Sequence, residues 1–138
     1  MLGTLALYAD VAVQTRQASS AKALYERMEP FSQQVAWITT QGYGHVRLWL
    51  GLLADVLSEH GLADEHLMFA CQFHHANDLP LWDARGHLGW AQALAARGET
   101  SLAREHAARA LELSRGHGYA LFEPRALAFV AAESATGT

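Results

Sequence analysis

Eight histidines are the residues of this 138-residue sequence best suited to chemistry: His45, His60, His66, His74, His75, His87, His106 and His117. A hydrolytic zinc helix needs two His four residues apart with an acid beside them, and no His pair here has that spacing. His66 and His74 lie about two turns apart on one expected helix, and would meet His106 only if their hairpins pack together. Spacing therefore favours packed and exposed imidazoles and predicts neither a bound metal nor a cofactor. His106, on an apolar stripe, reads as a ring filling space at the edge of the core. Cys71 has His74 and His75 nearby, but no third group orients such a pair and no oxyanion loop is recognisable, so it reads as a buried inert thiol. The acid pairs Glu59 with Glu65 and Asp78 with Asp83 lack a glycosidase-like setting and read as caps and solvated faces. Gln41-Gly42-Tyr43-Gly44 follows no clear strand, and no Lys-Ser/Thr completes a phosphate cradle after it, which leaves a turn. No residue is expected to be catalytic, and the chain is expected to act by binding rather than as an enzyme.

The elements that must position these residues are helical. Ala and Leu make up a third of the chain, 26 and 20 residues against three Pro, and apolar residues recur at helical spacing while strict alternation is absent. The expectation is one all-α domain over residues 1–138 with about seven helices. At 51% hydrophobic and 17% charged residues, the chain is too apolar for disorder and too interrupted by charge to cross a membrane. A net charge of −4 sets repulsion against a phosphate backbone, so nucleic acid is not an expected partner. One cysteine excludes an intrachain disulfide and fits a reducing cytoplasm, and Met1-Leu2-Gly3-Thr4-Leu5 has no basic leader region.

A first helix is expected from Leu2 to Thr15, with Leu2, Leu5, Ala6, Ala9 and Val13 inward. A second is capped by Ser19 or Ser20 and stopped near Glu29 by Pro30. Pro30 to Gly44 reads as a long connection with one strand-like or helical turn. The third helix runs from His45 to Glu59 with Gly61 as its left-handed terminator, and the fourth from Ala63 to His75. The fifth opens at Pro80, buries Leu81, Ala84, Leu88, Ala91 and Ala95, and ends at Gly98. The sixth covers Thr100 to Arg115 and buries Leu102, Ala103, His106, Ala107, Ala110 and Leu111; a last helix occupies about 121–133.

An internal repeat organises these helices. Counted from Gly98, Ala91 lies seven residues before it, and Ala103, Ala107 and Ala110 lie five, nine and twelve after it. The same offsets from Gly61 give Leu53-Ala54, His66, Ala70 and Phe73, and from Arg16 they give Tyr8-Ala9, Ala21, Tyr25 and Met28. The units are 2–29, 45–76 and 80–116, offset by 45 and then 37 residues. Ala9, Ala54 and Ala91 are read as the small residues where paired helices cross at close range.

This spacing of small residues resembles a degenerate tetratricopeptide repeat. The segments Leu24-Tyr25-Glu26-Arg27-Met28-Glu29-Pro30-Phe31, Leu50-Gly51-Leu52-Leu53-Ala54-Asp55-Val56-Leu57 and Leu94-Ala95-Ala96-Arg97-Gly98-Glu99 resemble the helical-repeat region near the C-terminus of large bacterial regulators. Those proteins join an ATP-binding module to a LuxR-type DNA-binding domain or a nucleotide-cyclase domain. The resemblance covers about Leu5 to Gly118 and implies a short right-handed stack of hairpins acting as a protein-interaction or regulatory segment of a larger protein. It further implies that the first helices of successive units line a groove near Asp10, Arg47, Asp55, Glu59, Arg85 and Gln92, suited to a peptide or partner helix of basic character. Most of Trp37, Tyr43, Trp49, Trp82, Trp90, Tyr119 and Phe122 are expected in the core. One alternative is a homo-oligomeric scaffold, with a second copy docking on Leu2 and Leu5 at one end or on Phe122 and Phe129 at the other. Another is a histidine-based metal-binding sensor.

Overall fold

A computed structural model describes residues 2–38, 41–119 and 122–136. Expectations on Thr39, Thr40, residue 121, the tail after Thr136 and the side chain of Trp37 fall outside the described residues. Among those described, the chain is all-α: α1 (Leu2–Thr15), α2 (Ala18–Met28), α3 (Val46–Val56), α4 (His60–Ala76), α5 (Pro80–Ala96), α6 (Thr100–His117) and α7 (Glu123–Thr136). The expected connection from Pro30 to Gly44 is a 3-10 turn, Glu29–Phe31, followed by a small antiparallel hairpin of β1 (Val35–Ile38) and β2 (Gln41–His45). Val35 pairs with His45 and Trp37 with Gly42, and the register slips between them, so the alternation that would announce a strand pair is broken by a bulge.

The chain divides into two compact units, residues 1–77 and 78–138. In the first, α1 packs on α2 and α3, α2 on α3, and α3 pairs with α4. Helix α3 is enclosed on nearly every side: Val46 and every residue from Leu48 to Val56 are buried, which accounts for its almost uninterrupted apolar run. In the second unit α5 pairs with α6 and α7 lies against both. Its core is Ala84, Leu88, Ala110, Leu113, Phe122 and Ala126, with Leu111, Tyr119 and Phe129 at the margin.

Three corners share one backbone pattern. At Arg16, Ser58 and Gly98 the chain turns left-handed, with φ of 52°, 60° and 82°. In each, that residue's N–H donates to the carbonyl three before it: Val13, Asp55 and Ala95. The next N–H, of Gln17, Glu59 or Glu99, donates to the carbonyl five before it: Ala12, Ala54 and Leu94. These two bonds satisfy carbonyls that a helix end leaves open. The same next residue is the N-cap of the following helix, and its carbonyl accepts from Ala21, Ala63 or Ala103.

This pattern corrects the middle unit. Gly61 does not terminate α3: it lies in the first turn of α4, and Ser58 takes the left-handed position three residues earlier. Shifting the reference to Ser58 replaces offsets of 45 and 37 residues with 42 and 40 and places Ala63, Leu67 and Ala70, all buried, at the positions of Ala103, Ala107 and Ala110. The close-crossing residue is then Gly51 rather than Ala54. A Cβ on Gly51 would stand 2.7 Å from Leu67 Cγ and 3.2 Å from the Ala63 carbonyl oxygen. The second helix is also capped differently, by Gln17, with Ser19 and Ser20 inside it. Leu81 and Leu102, expected inward, are exposed; Leu5, expected inward on α1 and also named as an end face for the scaffold alternative, is buried, as is Phe122.

The glycines should therefore respond with opposite signs. Gly61→Ala meets nothing within 4 Å and should raise the unfolding free energy by up to about 1 kcal/mol, as should Ser58→Gly. Gly98→Ala, left-handed, should lower it by about 1 kcal/mol and Gly51→Ala by about 1–3 kcal/mol. Urea unfolding of the four variants checks this, and a loss at Gly61 would restore it as the terminator of α3.

Candidate functional site: an acid-walled groove on the first unit

Lys22, Tyr25, Glu26 and Glu29 recur at i, i+3, i+4 and i+7 along α2 and its C-cap, so all four stand on one face. Opposite them lie Ala54 and Leu57 from the end of α3, Glu59 at the corner, and Leu62 in the first turn of α4. These residues enclose a groove of about 300 Å³. Ala54, Leu57 and Leu62 supply its apolar surface, and three carboxylates face a single ammonium around it.

Behind Tyr25 a hydrogen-bonded chain ties three helices together. Arg47 Nε, on α3, donates to Nδ1 of His66, on α4, at 3.0 Å. A guanidinium can only donate, so Nδ1 is an acceptor and the His66 proton sits on Nε2. That N–H faces the Tyr25 hydroxyl of α2 at 3.0 Å and donates to it. The phenol's own hydrogen is not used by this chain and remains a donor at the groove wall. Burial, then the adjacent Arg47 charge, lowers the His66 pKa against an opposing pull from Glu65. Burial, then Glu29 and Glu65, raises that of Tyr25. Both groups are neutral at pH 7. Arg47 itself lies 4.2 Å above the Phe69 ring and 3.7 Å from Glu65.

His45 starts α3. Its Nδ1 accepts from the Arg47 N–H at 3.1 Å, an imidazole in the capping role usually held by Ser, Thr, Asp or Asn. Its backbone N–H donates to His74 Nε2 at 2.9 Å, and its ring packs against Phe69 and Phe73 with centroids 5.0 and 4.7 Å away. Trp49 Nε1 donates to the Tyr43 carbonyl at 2.8 Å and the Val46 N–H to that of Gln34 at 2.8 Å, which fastens the β-hairpin to α3. These contacts engage the lone pairs of His45 Nδ1, His66 Nδ1 and His74 Nε2, so none of the three is presented to a metal. Cys71 is buried, as expected of an inert thiol.

Of the six residues placed by resemblance, Asp10, Arg47, Asp55 and Glu59 belong to the first unit and Arg85 and Gln92 to the second. Glu59 lines the groove. Arg47 supports it from behind. Asp55 is buried and bonded to Arg16 Nη1 at 3.1 Å, which joins the first corner to the second. Asp10 accepts from Gln14 along α1. Arg85 is buried and Gln92 exposed, both on α5 of the second unit. Lys22, Tyr25, Glu26 and Glu29 were not anticipated, although their spacing signals a common face; attention to the first helix of each unit passes over α2.

Fold and groove together define an all-α protein with a small, acid-walled, apolar-floored groove. No known protein family, curated protein or solved structure matches the chain.

Burial, then Arg47, holds the His45 pKa down to about 4. The unfolded chain, with an ordinary pKa near 6.5, takes up the proton first. Stability is therefore full above about pH 7.5 and falls as pH drops through 6.5 towards 4, by about 3 kcal/mol at most, with His66 acting in the same direction. His45→Asn keeps a capping oxygen that does not titrate. Urea unfolding at several pH values should show a shallower fall for this variant, and an unchanged slope would remove His45 as the cause.

Proposed function

We propose that the chain is a non-enzymatic protein-interaction and regulatory module of bacterial signalling or transcription regulation, taking a short basic segment of a partner protein in the groove of its first unit. The observation that carries this reading is the excess of Glu26, Glu29 and Glu59 over Lys22 above the apolar surface of Ala54, Leu57 and Leu62. An incoming Lys or Arg lays its aliphatic stem on Leu57 and Leu62 and brings its charge to the carboxylates. The Tyr25 hydroxyl can donate to a peptide carbonyl beside it. The net charge of −4 has the same sign and draws cationic partners towards the surface. A tetratricopeptide-like ancestry is supported by the three corners with their common hydrogen bonds.

The test is fluorescence anisotropy with a short peptide alternating Leu and Lys, and its Leu/Glu counterpart as control. The basic peptide should bind in a salt-sensitive way. The combined Glu26→Gln, Glu29→Gln and Glu59→Gln variant should lose at least about tenfold in affinity with little change in stability. Equal binding of both peptides, or binding indifferent to the triple change, would overturn the reading.

A homo-oligomeric scaffold is the second reading, supported by a different surface from the ends first expected. Leu7, Tyr8 and Val11 are exposed on α1, beside an uncharged hollow of about 310 Å³ lined by Tyr8, Val11, Ala12, Gln17, Ser20, Ala23 and Leu24. Light scattering should then show a dimer that Tyr8→Glu dissociates, and a monomer at high concentration counts against it.

A further inference from the structure

The second unit holds a histidine pair of another kind. Asp83 and His87 stand one turn apart on α5, and His106 comes from α6. His87 Nε2 is 3.1 Å from Oδ1 of the buried Asp83, and His87 Nδ1 is 2.9 Å from His106 Nδ1. The two Nδ1 atoms are hydrogen-bonded to one another, so one ring donates and the other presents its lone pair. The indole of Trp90 stacks on the His106 ring, with centroids 4.0 Å apart and planes 22° apart, and holds it in place. Arg109 stands 3.8 Å from the other Asp83 oxygen and pairs with Glu112 at 3.0 Å.

Two ring nitrogens 2.9 Å apart share one hydrogen in an N–H···N bond. A zinc ion with N bonds of about 2.0–2.1 Å at a tetrahedral angle holds its two nitrogens about 3.3 Å apart, so a small opening of the pair admits the ion. A carboxylate beside the far nitrogen of a histidine can orient a metal ligand and strengthen its donation, and Asp83 Oδ1 stands beside His87 Nε2. We propose that His87 and His106 form a two-imidazole site for a divalent transition ion of the zinc, nickel and copper class. Nδ1 of each ring is a ligand, water completes the coordination, and Asp83 is a positioning residue acting through His87. On binding, the ring that carries the shared Nδ1 hydrogen moves it to its own Nε2 through solvent, which turns both Nδ1 lone pairs to the ion. Magnesium and calcium, which take oxygen ligands, do not compete.

The experiment uses the full chain stripped of metal with a chelator. Titration with Zn²⁺, followed by NMR of histidine-labelled protein, should shift the ring signals of His87 and His106 with saturation near one ion per chain, and leave those of His45, His66 and His74 in place. Ni²⁺ or Cu²⁺ should quench the Trp90 fluorescence, an effect that Trp90→Phe removes. His87→Gln and His106→Gln should each weaken uptake at least about tenfold, and His117→Gln should leave it unchanged. Asp83→Asn should weaken it by about 10–100-fold and change the ring-nitrogen shifts of metal-free His87, a signature that a packing role alone would not give. Absence of saturable Zn²⁺ or Ni²⁺ uptake by the unmodified chain, or uptake that leaves the His87 and His106 signals unmoved, overturns the proposal without reference to how any variant folds.

Discussion

A corner of two residues, one left-handed and one that caps the next helix, is the constraint on which the helical hairpins depend. It closes one helix through two backbone hydrogen bonds and caps the next through a third, so the following helix starts in a fixed direction without a long loop. The left-handed residue costs a non-glycine side chain roughly 1 kcal/mol or more. Gly98 escapes that cost, while Arg16 and Ser58 bear it. Arg16 is bonded to Asp55, three residues before the Ser58 corner, so its guanidinium also locks two corners together. Because the helix after each corner starts at the same place, the residue five positions on always faces the partner helix, and Ala21, Ala63 and Ala103 are all but fully buried.

Much of this was legible in the sequence, and the departures have physical causes. Helical periodicity, Pro80 at a helix start and Gly98 at a helix end each correspond to an observed boundary. Glycine is the strongest local signal for a left-handed residue, and that is why Gly61 misleads: the backbone turns at Ser58, which carries no such signal, and the middle unit slips by three residues. The slip exchanges Gly51 for Ala54 as the crossing residue, a distinction visible only once Leu67 is seen against Gly51. The β-hairpin was hidden for a different reason, since its bulge breaks the alternation.

The groove was half legible. The resemblance implies an acidic groove along the first helices, whereas the walls of the observed groove come from the second helix and the corner. Glu59 appears in both accounts because a corner residue borders both helices. Asp55 and Arg47 illustrate the opposite case: a charged residue on an otherwise apolar helix looks like a binding residue, yet enclosure of α3 forces each to find a partner inside the protein. Burial could not be read from a helix whose neighbours on every side were unknown.

The histidines show how the partner of an imidazole decides what the ring can do. In the first unit the partners are donors: the Arg47 guanidinium, the Arg47 amide and the His45 amide each point a hydrogen at a ring nitrogen. A donor uses up the lone pair, and protonating His45 or His66 would break the bond that holds it, in the same direction as the burial and the Arg47 charge that lower both pKa values. In the second unit the hydrogen-bond partner of His87 is another imidazole, so of the two Nδ1 atoms one gives a hydrogen and the other a lone pair. Sequence spacing distinguishes neither case, because His45, His66, His74, His87 and His106 all lie in a helix or at its N-cap. Their chemistry is set by whether the residue across the ring gives a hydrogen or accepts one.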